Sequence, residues 1–327
     1  MKKRVLDIIV PHYNESWDIV RPFFDILNSQ RGVNFDAFKV WLIHDGTEPF
    51  SEDYFCNGLV NVEQICIEHG GVSKARNWGI DHADATWVTF CDCDDCFSSV
   101  FSLRFVMQAL SAENTDAFDL VWGSFYIYNP SVLLSFNDYN SVFNHNKYYR
   151  LDFLKEHNLR FNEKLYMSED NAFNTIARME LKTERIGEIQ SEVPLYIWCR
   201  RPGSVTTDFS RWLKNAEGNF DRNVYVLEEY RKHNYQDPNL MVVRTVTDAY
   251  SALNKPGFEG DASTLLNRVR DFYLENEIFY HQVPQERLQL ALKASDSDAG
   301  IKSFEKIQRP SLEEWIEKLT TRNQHGL

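Results

Sequence analysis

The chain has 327 residues, of which 43% are hydrophobic and 25% charged, enough for one large α/β domain with an appendage or for two ordinary domains. Its formal net charge of −13 disfavours a general electrostatic grip on nucleic acid or anionic lipid, because both require a basic surface. No apolar run approaches the length that spans a bilayer, and six cysteines without small-secreted-domain spacing point to a reducing cytoplasm.

The basic start MKKR is followed by a short apolar stretch that carries Asp7, so it reads as a first strand and not as a signal segment. VLDIIVP (5–11) ends at proline and predicts a buried strand. Residues 18–29 place Ile19, Phe23, Phe24 and Leu27 at helical spacing. FKVWLIHDG (38–46) and VEQICIE (62–68) predict two more strands, and a helix over SKARNWGIDHAD follows Gly70-Gly71. ATWVTFCDCDD predicts a fourth strand that runs into an acid cluster. FDLVWGSFYIYN (118–129) reads as one further strand, and YYRLDFLKEHNLRF (148–161) as a helix leading into a turn. SEDNAFNTIARM (168–179) reads as a helix with Ser168 at its N-cap and acids in its first turn. VPLYIWCRRPGSVTT (193–207) is a strand entering a basic loop that contains Pro202, Gly203 and Ser204. Beyond Phe209 the pattern is helical, with KPGFEGD (255–261) and the Asp-Ser-Asp stretch near residue 297 as connections.

This rhythm implies a largely parallel sheet flanked by helices, in which ligands bind beyond the carboxyl ends of the strands. Those ends are polar here: His12-Tyr13-Asn14-Glu15, then His44-Asp45, then Asp92, Asp94 and Asp95. Within FCDCDDCF (90–97), a thiolate zinc site lacks a fourth ligand, and strand alternation separates Cys91 and Cys93 from Asp92 and Asp94. The cysteines therefore read as packing residues. The carboxylates admit two readings: a solvated acidic turn, or an oxygen site for Mg2+ or Mn2+, because acids this close repel one another unless a cation neutralises them.

In order along the chain, these stretches resemble the inverting glycosyltransferases of family 2, whose GT-A fold is an α/β, Rossmann-like, mostly parallel sheet flanked by helices. The resemblance covers residues 5–207. DIIVPHYNE is similar to the family's V-I-I-P-x-Y-N-E, and WLIHDGT to its V-D-D-G-S, with His44 in place of the first aspartate. GGVSKARNWGIDHADATWVTFCDCDD resembles the family's A-R-N and D-x-D-D blocks, with Thr86 where glycine is common. HNKYYRLDFLKEHNLRFNEKLYMSEDNAF is similar to the block that ends in E-D. Its His145 and Lys147 match the H-G-K-x-Y-R form of Firmicutes and phage-type members, with Asn146 in place of the glycine.

The resemblance implies a catalytic domain over 1–208, divided into a nucleotide-sugar half (1–129) and an acceptor and base half (130–208), followed by a C-terminal helical region over 209–327. It implies metal-dependent, inverting transfer from a UDP-linked sugar, with Mn2+ or Mg2+ on Asp92 and Asp94 and with His145 as a further ligand. Tyr13 is expected against the uracil ring, Asp45 on the pyrimidine N–H, and Glu15 on the ribose or base. Arg76, Lys74, Lys147, Arg200 and Arg201 are expected near the diphosphate, and Pro11, Gly71, Asp92 and Cys93 elsewhere along the nucleotide. Asp170, with Glu169 beside it, is the implied general base, although residues 168–170 also make an ordinary helix cap. Trp198 reads equally as an acceptor wall and as core.

Two other classes remain open. A nucleotidyltransferase or pyrophosphorylase also places metal carboxylates at strand ends, but it brings a Gly-rich phosphate loop that PHYNES lacks. A non-catalytic sugar-nucleotide-binding protein of the same fold is the other. The expected partners are a nucleotide sugar and a glycan, wall-polymer or protein acceptor, with nucleic acid disfavoured by the net charge. The helical tail suits packing, acceptor recognition or homo-oligomerisation. The expected location is the cytoplasm, with a peripheral position at the inner membrane surface for a lipid-linked acceptor.

Overall fold

A computed structural model describes residues 3–129, 132–136, 142–200, 211–235, 237–258, 260–301 and 308–321. The chain divides into two units, one of residues 1–164 with 169–207, the other of residues 165–168 with 208–327.

The first unit is built on a seven-stranded sheet. β1 (Leu6–His12), β2 (Phe38–Asp45), β3 (Val62–Ile67) and β4 (Trp87–Phe90) run parallel, with β1 between β2 and β4. Every residue of β1, β2 and β4 is buried, as expected of a parallel sheet covered on both faces. α1 (Trp17–Asn28) buries Val20, Phe23, Phe24 and Leu27 on its inner stripe. α2 (Val72–His82) packs close to β1 at Gly79, where a Cβ would lie 2.6 Å from the Ile9 side chain. Pro11 is tolerated in a central strand for a local reason. The Ile9 carbonyl accepts from Cys91 N–H on the β4 side, so Pro11, two residues on, turns its nitrogen to that side, past the end of β4 at Phe90.

Three sequence expectations are corrected in this unit. The fourth strand stops at Phe90, and Asp92–Asp95 is a turn closed by Asp95 N–H on the Asp92 carbonyl at 3.1 Å. Residues 118–129 hold two strands, β6 (Leu120–Trp122) and β7 (Phe125–Asn129), in different sheets, divided at Gly123-Ser124. Gly123 lets the chain cross there, because a Cβ would lie 2.5 Å from Asn146 Nδ2. The stretch expected to be a helix from 148 begins as β9 (Lys147–Arg150), antiparallel between β4 and β6, and only then becomes α4 (Leu151–Glu156). Tyr148 and Tyr149 are buried there, and aromatic residues suit a covered strand as well as a helix.

The sheet is completed by β10 (Ile186–Glu188), beside β6. A second, four-stranded sheet has the order β5 (Cys96–Phe97), β11 (Tyr196–Cys199), β7, β8 (Val132–Phe136). α3 (Ser102–Leu110) follows β5, and α5 (Glu169–Glu180) carries the Glu169-Asp170 pair in its first turn.

The second unit contains α6 (Trp212–Lys232), α7 (Pro238–Leu253), α8 (Ser263–His281), α9 (Gln285–Asp298) and α10 (Leu312–Thr321) around its own apolar core, which includes Leu227, Val246, Leu265, Val269 and Trp315. The Asp-Ser-Asp stretch is the last turn of α9, not a connection. Among the described residues no helix is long and apolar enough to cross a membrane.

Replacing Gly79 with valine sets overpacking against the fully buried Ile9 above the small gain in helix propensity. Gly79→Val is expected to lower unfolding free energy by about 1–3 kcal/mol in urea titrations.

Candidate active site

Tyr13, Glu15, Asp45, Asp92 and Asp94 stand at or just beyond the carboxyl ends of β1, β2 and β4, and Arg76 on α2 and Glu169 on α5 meet there. Beyond β4, burial alternates even though the strand has ended: Cys91, Cys93, Asp95 and Phe97 are buried, while Asp92, Asp94 and Cys96 are half-buried. The cysteines pack inward as expected, and burial pushes the Cys93 thiol well above its ordinary value.

Asp95 is the anchor of this turn. Its Oδ2 accepts from the Tyr196 hydroxyl at 2.9 Å and its Oδ1 from Cys199 N–H at 2.8 Å, fixing the turn to β11. Burial, then the charges of Asp92 and Asp94, push its carboxyl well above the usual range despite those two donors. His145 Nδ1 lies 3.6 Å from Asp95 Oδ2, and its ring is packed among Phe125, Phe143, Tyr196 and Trp198. Burial pushes His145 down to about 4, which keeps it neutral.

Arg76, on α2, joins the acidic turn to α5. Its guanidinium donates to Asp92 Oδ1 at 2.8 Å and to Glu169 Oε1 at 2.6 Å, and it lies over the Phe161 ring at 5.2 Å. Burial opposes its charge, but Asp92, Glu169 and Asp170 together outweigh that and raise its pKa. Asp170 stands next to Glu169 and accepts from Asn171 N–H at 2.7 Å. Loss of water, then the Glu169 charge, push Asp170 up to about 7, with Arg76 opposing.

Asn77, the neighbour of Arg76, clamps the second half of the unit. Its side chain accepts from Phe161 N–H and donates to the Phe161 carbonyl and to Glu163 Oε1, each at 2.9 Å. The A-R-N stretch thus places one residue on the acids and the next on the R-F-x-E segment.

On the nucleotide side, Tyr13 is 48% exposed and stacks on His69 with ring centroids 4.6 Å apart. Glu15 Oε2 accepts from Tyr13 N–H at 3.0 Å. Asp45, expected to meet a pyrimidine, is buried and already accepts from Gly70 and Gly71 N–H at 2.8 Å each and lies 2.9 Å from His69 Nδ1. Gly71 has φ 90°, a conformation that favours glycine, at the start of α2. Lys74 and Lys147 both have protein partners: Lys74 Nζ donates to the Glu68 carbonyl at 2.8 Å, and buried Lys147 donates to Asn174 Oδ1 at 2.9 Å. Arg200 lies over the Trp198 ring at 4.6 Å. Arg201 and the Pro202-Gly203-Ser204 turn lie outside the described residues.

His69, the Asp95 anchor, the Asn77 clamp and Asn174 escaped sequence reasoning. His69 had a usable signal, since it is polar and lies just beyond β3, before Gly70-Gly71. The other three act through partners distant in the chain.

A divalent ion fits the chemistry of the acidic turn. Asp92 and Asp94 offer oxygen alone, and among the described residues no three His, Cys, Asp or Glu side chains form a cage. Mg2+ and Mn2+ characteristically take one or two carboxylates and leave other positions to water and phosphate.

A largely parallel sheet with carboxylates at its strand ends defines an α/β protein of the class in which ligands bind beyond the strand ends. The family model for glycosyl transferase family 2 matches residues 7–172, and the chain belongs to that family, a glycosyltransferase class with the GT-A fold. It is 29% identical over 230 residues to the uncharacterized glycosyltransferase EpsJ of Bacillus subtilis, a match covering 62% of this chain and 63% of EpsJ. A 95-residue stretch, 28% of this chain, is 28% identical to the minor teichoic acid biosynthesis protein GgaB of Bacillus subtilis and spans 10% of it. The chain thus spans under two thirds of the length of these relatives. Among solved structures, TarS 1–349 of S. aureus in complex with UDP has TM-score 0.65 at 17% identity, covering 96% of this chain and 90% of that one. The mannosyltransferase PcManGT of Pyrobaculum calidifontis, with GDP-Man and Mn2+, has TM-score 0.52 at 13% identity, covering 92% of this chain and 87% of that one.

Removing the buried guanidinium leaves Asp92, Glu169 and Asp170 uncompensated. Arg76→Met is expected to destabilise the fold by about 3–5 kcal/mol. The loss should be larger at pH 8 than at pH 5, because a carboxyl held above its unfolded value destabilises the fold as it ionises. Denaturant titrations at the two pH values check both statements.

Proposed function

We propose that this protein moves a sugar from a nucleotide sugar, in UDP-linked form, to an acceptor hydroxyl with inversion at the anomeric carbon. The observation that carries the reading is Arg76, which ties the acidic turn to the helix start bearing Asp170. It joins a diphosphate-facing element to an acid whose pKa of about 7 suits a general base. The similarity to structures that hold UDP, UDP-GlcNAc, or GDP-Man with Mn2+ supports a nucleotide-sugar donor.

In this reading Asp170 removes the acceptor proton as the acceptor oxygen attacks the anomeric carbon. The bond from that carbon to the diphosphate oxygen breaks, and the nucleoside diphosphate leaves with the electron pair. Glu169, held by Arg76, keeps a negative charge beside Asp170 and so raises its basicity. Asp92 and Asp94 would hold Mn2+ or Mg2+, which when bound supplies positive charge to the leaving diphosphate. Tyr13 and His69 offer an exposed aromatic surface to the base. The acceptor is a glycan, a wall polymer or a protein hydroxyl, and the GgaB match favours a wall polymer. The reaction is assigned to the cytoplasm, with a peripheral position at the membrane for a lipid-linked acceptor.

Asp170→Asn is expected to slow transfer by roughly 10²–10⁴-fold while leaving UDP affinity within a few-fold of wild type. A wild-type rate in Asp170→Asn would remove it as the base. Wild-type kcat/KM should rise with pH through about 7, because the protonated carboxyl cannot accept a proton. Asp94→Ala, or chelation with EDTA, should weaken UDP binding in calorimetry and abolish transfer. Undiminished UDP binding after either treatment would contradict the metal assignment.

A further inference from the structure

Two buried histidines at the ends of β1 and β2 enter no step above. His12 and His44 are register partners, and their Nδ1 atoms are 2.9 Å apart. At the outer ends of the pair, His12 Nε2 lies 2.8 Å from the main-chain carbonyl of Glu15, and His44 Nε2 lies 2.9 Å from Gln64 Oε1.

The two ends determine where the hydrogens are. A main-chain carbonyl only accepts, so His12 Nε2 carries hydrogen. Gln64 cannot turn over, because its Oε1 accepts from Phe50 N–H at 3.0 Å. Its Nε2 donates to the Phe50 carbonyl at 3.0 Å and to Glu52 Oε1 at 2.9 Å. His44 Nε2 therefore donates as well. The central Nδ1–Nδ1 contact needs one more hydrogen. Three links require three ring hydrogens, whereas two neutral imidazoles supply two.

We propose that His12 and His44 are positioning residues that share one extra proton, and that this singly charged pair sets the His12–Glu15 loop and the Asp45 strand end for nucleotide binding. Burial, with the neighbouring His12, pushes His44 down to about 4, against the Gln64 bond that favours its charged form. From His12 the chain of bonds continues through Glu15 to Tyr13 N–H, across Asn14 in the left-handed region at φ 63°. His44 is followed directly by Asp45, which lies 2.9 Å from His69.

The titratable and charged groups around the pair come from five segments. They are Glu15 on the loop, Asp45 after His44, Glu52 through Gln64, Cys66 opposite His44 in β3, and Cys93 beside Glu15. Loss of the extra proton leaves two bare Nδ1 lone pairs facing each other, so the rings separate and both ends of the pocket shift. Nucleotide affinity is therefore present while the pair is charged and declines as pH rises.

The test combines ¹⁵N-histidine NMR of the full chain with UDP calorimetry of wild type and His44→Asp between about pH 6 and pH 9. The expected spectrum at the acid end shows both Nε2 atoms protonated and the Nδ1 atoms sharing one hydrogen. Wild-type UDP affinity should fall roughly tenfold across the range, the equivalent of one buried hydrogen bond. His44→Asp supplies a carboxylate acceptor to His12 and should hold its affinity to higher pH. UDP's own ionisation is common to both proteins, so the difference between the curves reads the pair. A spectrum with one hydrogen on each ring at the acid end, or superimposable pH curves, overturns the proposal. The affinity arm rests on the donor site proposed above: absence of UDP binding at every pH sinks that site, while the NMR proton count still decides the pair.

Discussion

One buried cation, Arg76, holds together a site made almost wholly of acids. Asp92, Glu169 and Asp170 come from two elements far apart in sequence, and their mutual repulsion would drive those elements apart. A guanidinium can satisfy two carboxylates at once through a planar fork and stays charged when buried, which an ammonium does less well. The helix that carries it, α2, approaches β1 closely at Gly79. The Asn77 clamp on the next residue holds the Phe161–Glu163 segment, so one turn of helix ties the acidic turn, the start of α5 and that segment together.

Electrostatics divides the carboxylates by task. Asp95 is buried, hydrogen-bonded to Tyr196 and Cys199, and fixes the turn. Asp92 and Asp94 remain half-buried, where an oxygen-seeking ion and its water can reach them. Asp170 is pushed to about 7 by its surroundings, which suits the base role proposed for it. Four aspartates of the same chemistry thus differ in environment alone, which is the general means by which a single site could separate the structural, binding and proton-transfer roles proposed for them. The net charge of −13 is compatible with the proposed anionic donor, since local cations and the proposed ion would set the field at the diphosphate.

Much of this was legible in the sequence where the signal is local. β1, β2 and β3 and helices α1 and α2 lie within about two residues of their expected limits, because continuous apolar runs and a clear helical stripe leave little ambiguity. The acids at the strand ends were found by the same logic. The reading failed where the deciding partner is remote. Gly123 breaks an apolar run because Asn146 crosses there, and Lys147–Arg150 is a strand because β4 and β6 flank it. Asp95 read as one of the strand-end acids, yet its role depends on Tyr196, 101 residues away. Lys147 was expected near a phosphate, and its bond to Asn174 is equally invisible to local pattern.

The most direct test of the central claim is anomalous diffraction at the manganese edge from crystals soaked with UDP and Mn2+. One manganese peak is expected between Asp94 and the diphosphate, with the uracil on the Tyr13 side and Arg76 still spanning Asp92 and Glu169. A nucleotide bound elsewhere, or a manganese peak away from the acidic turn, would contradict the claim.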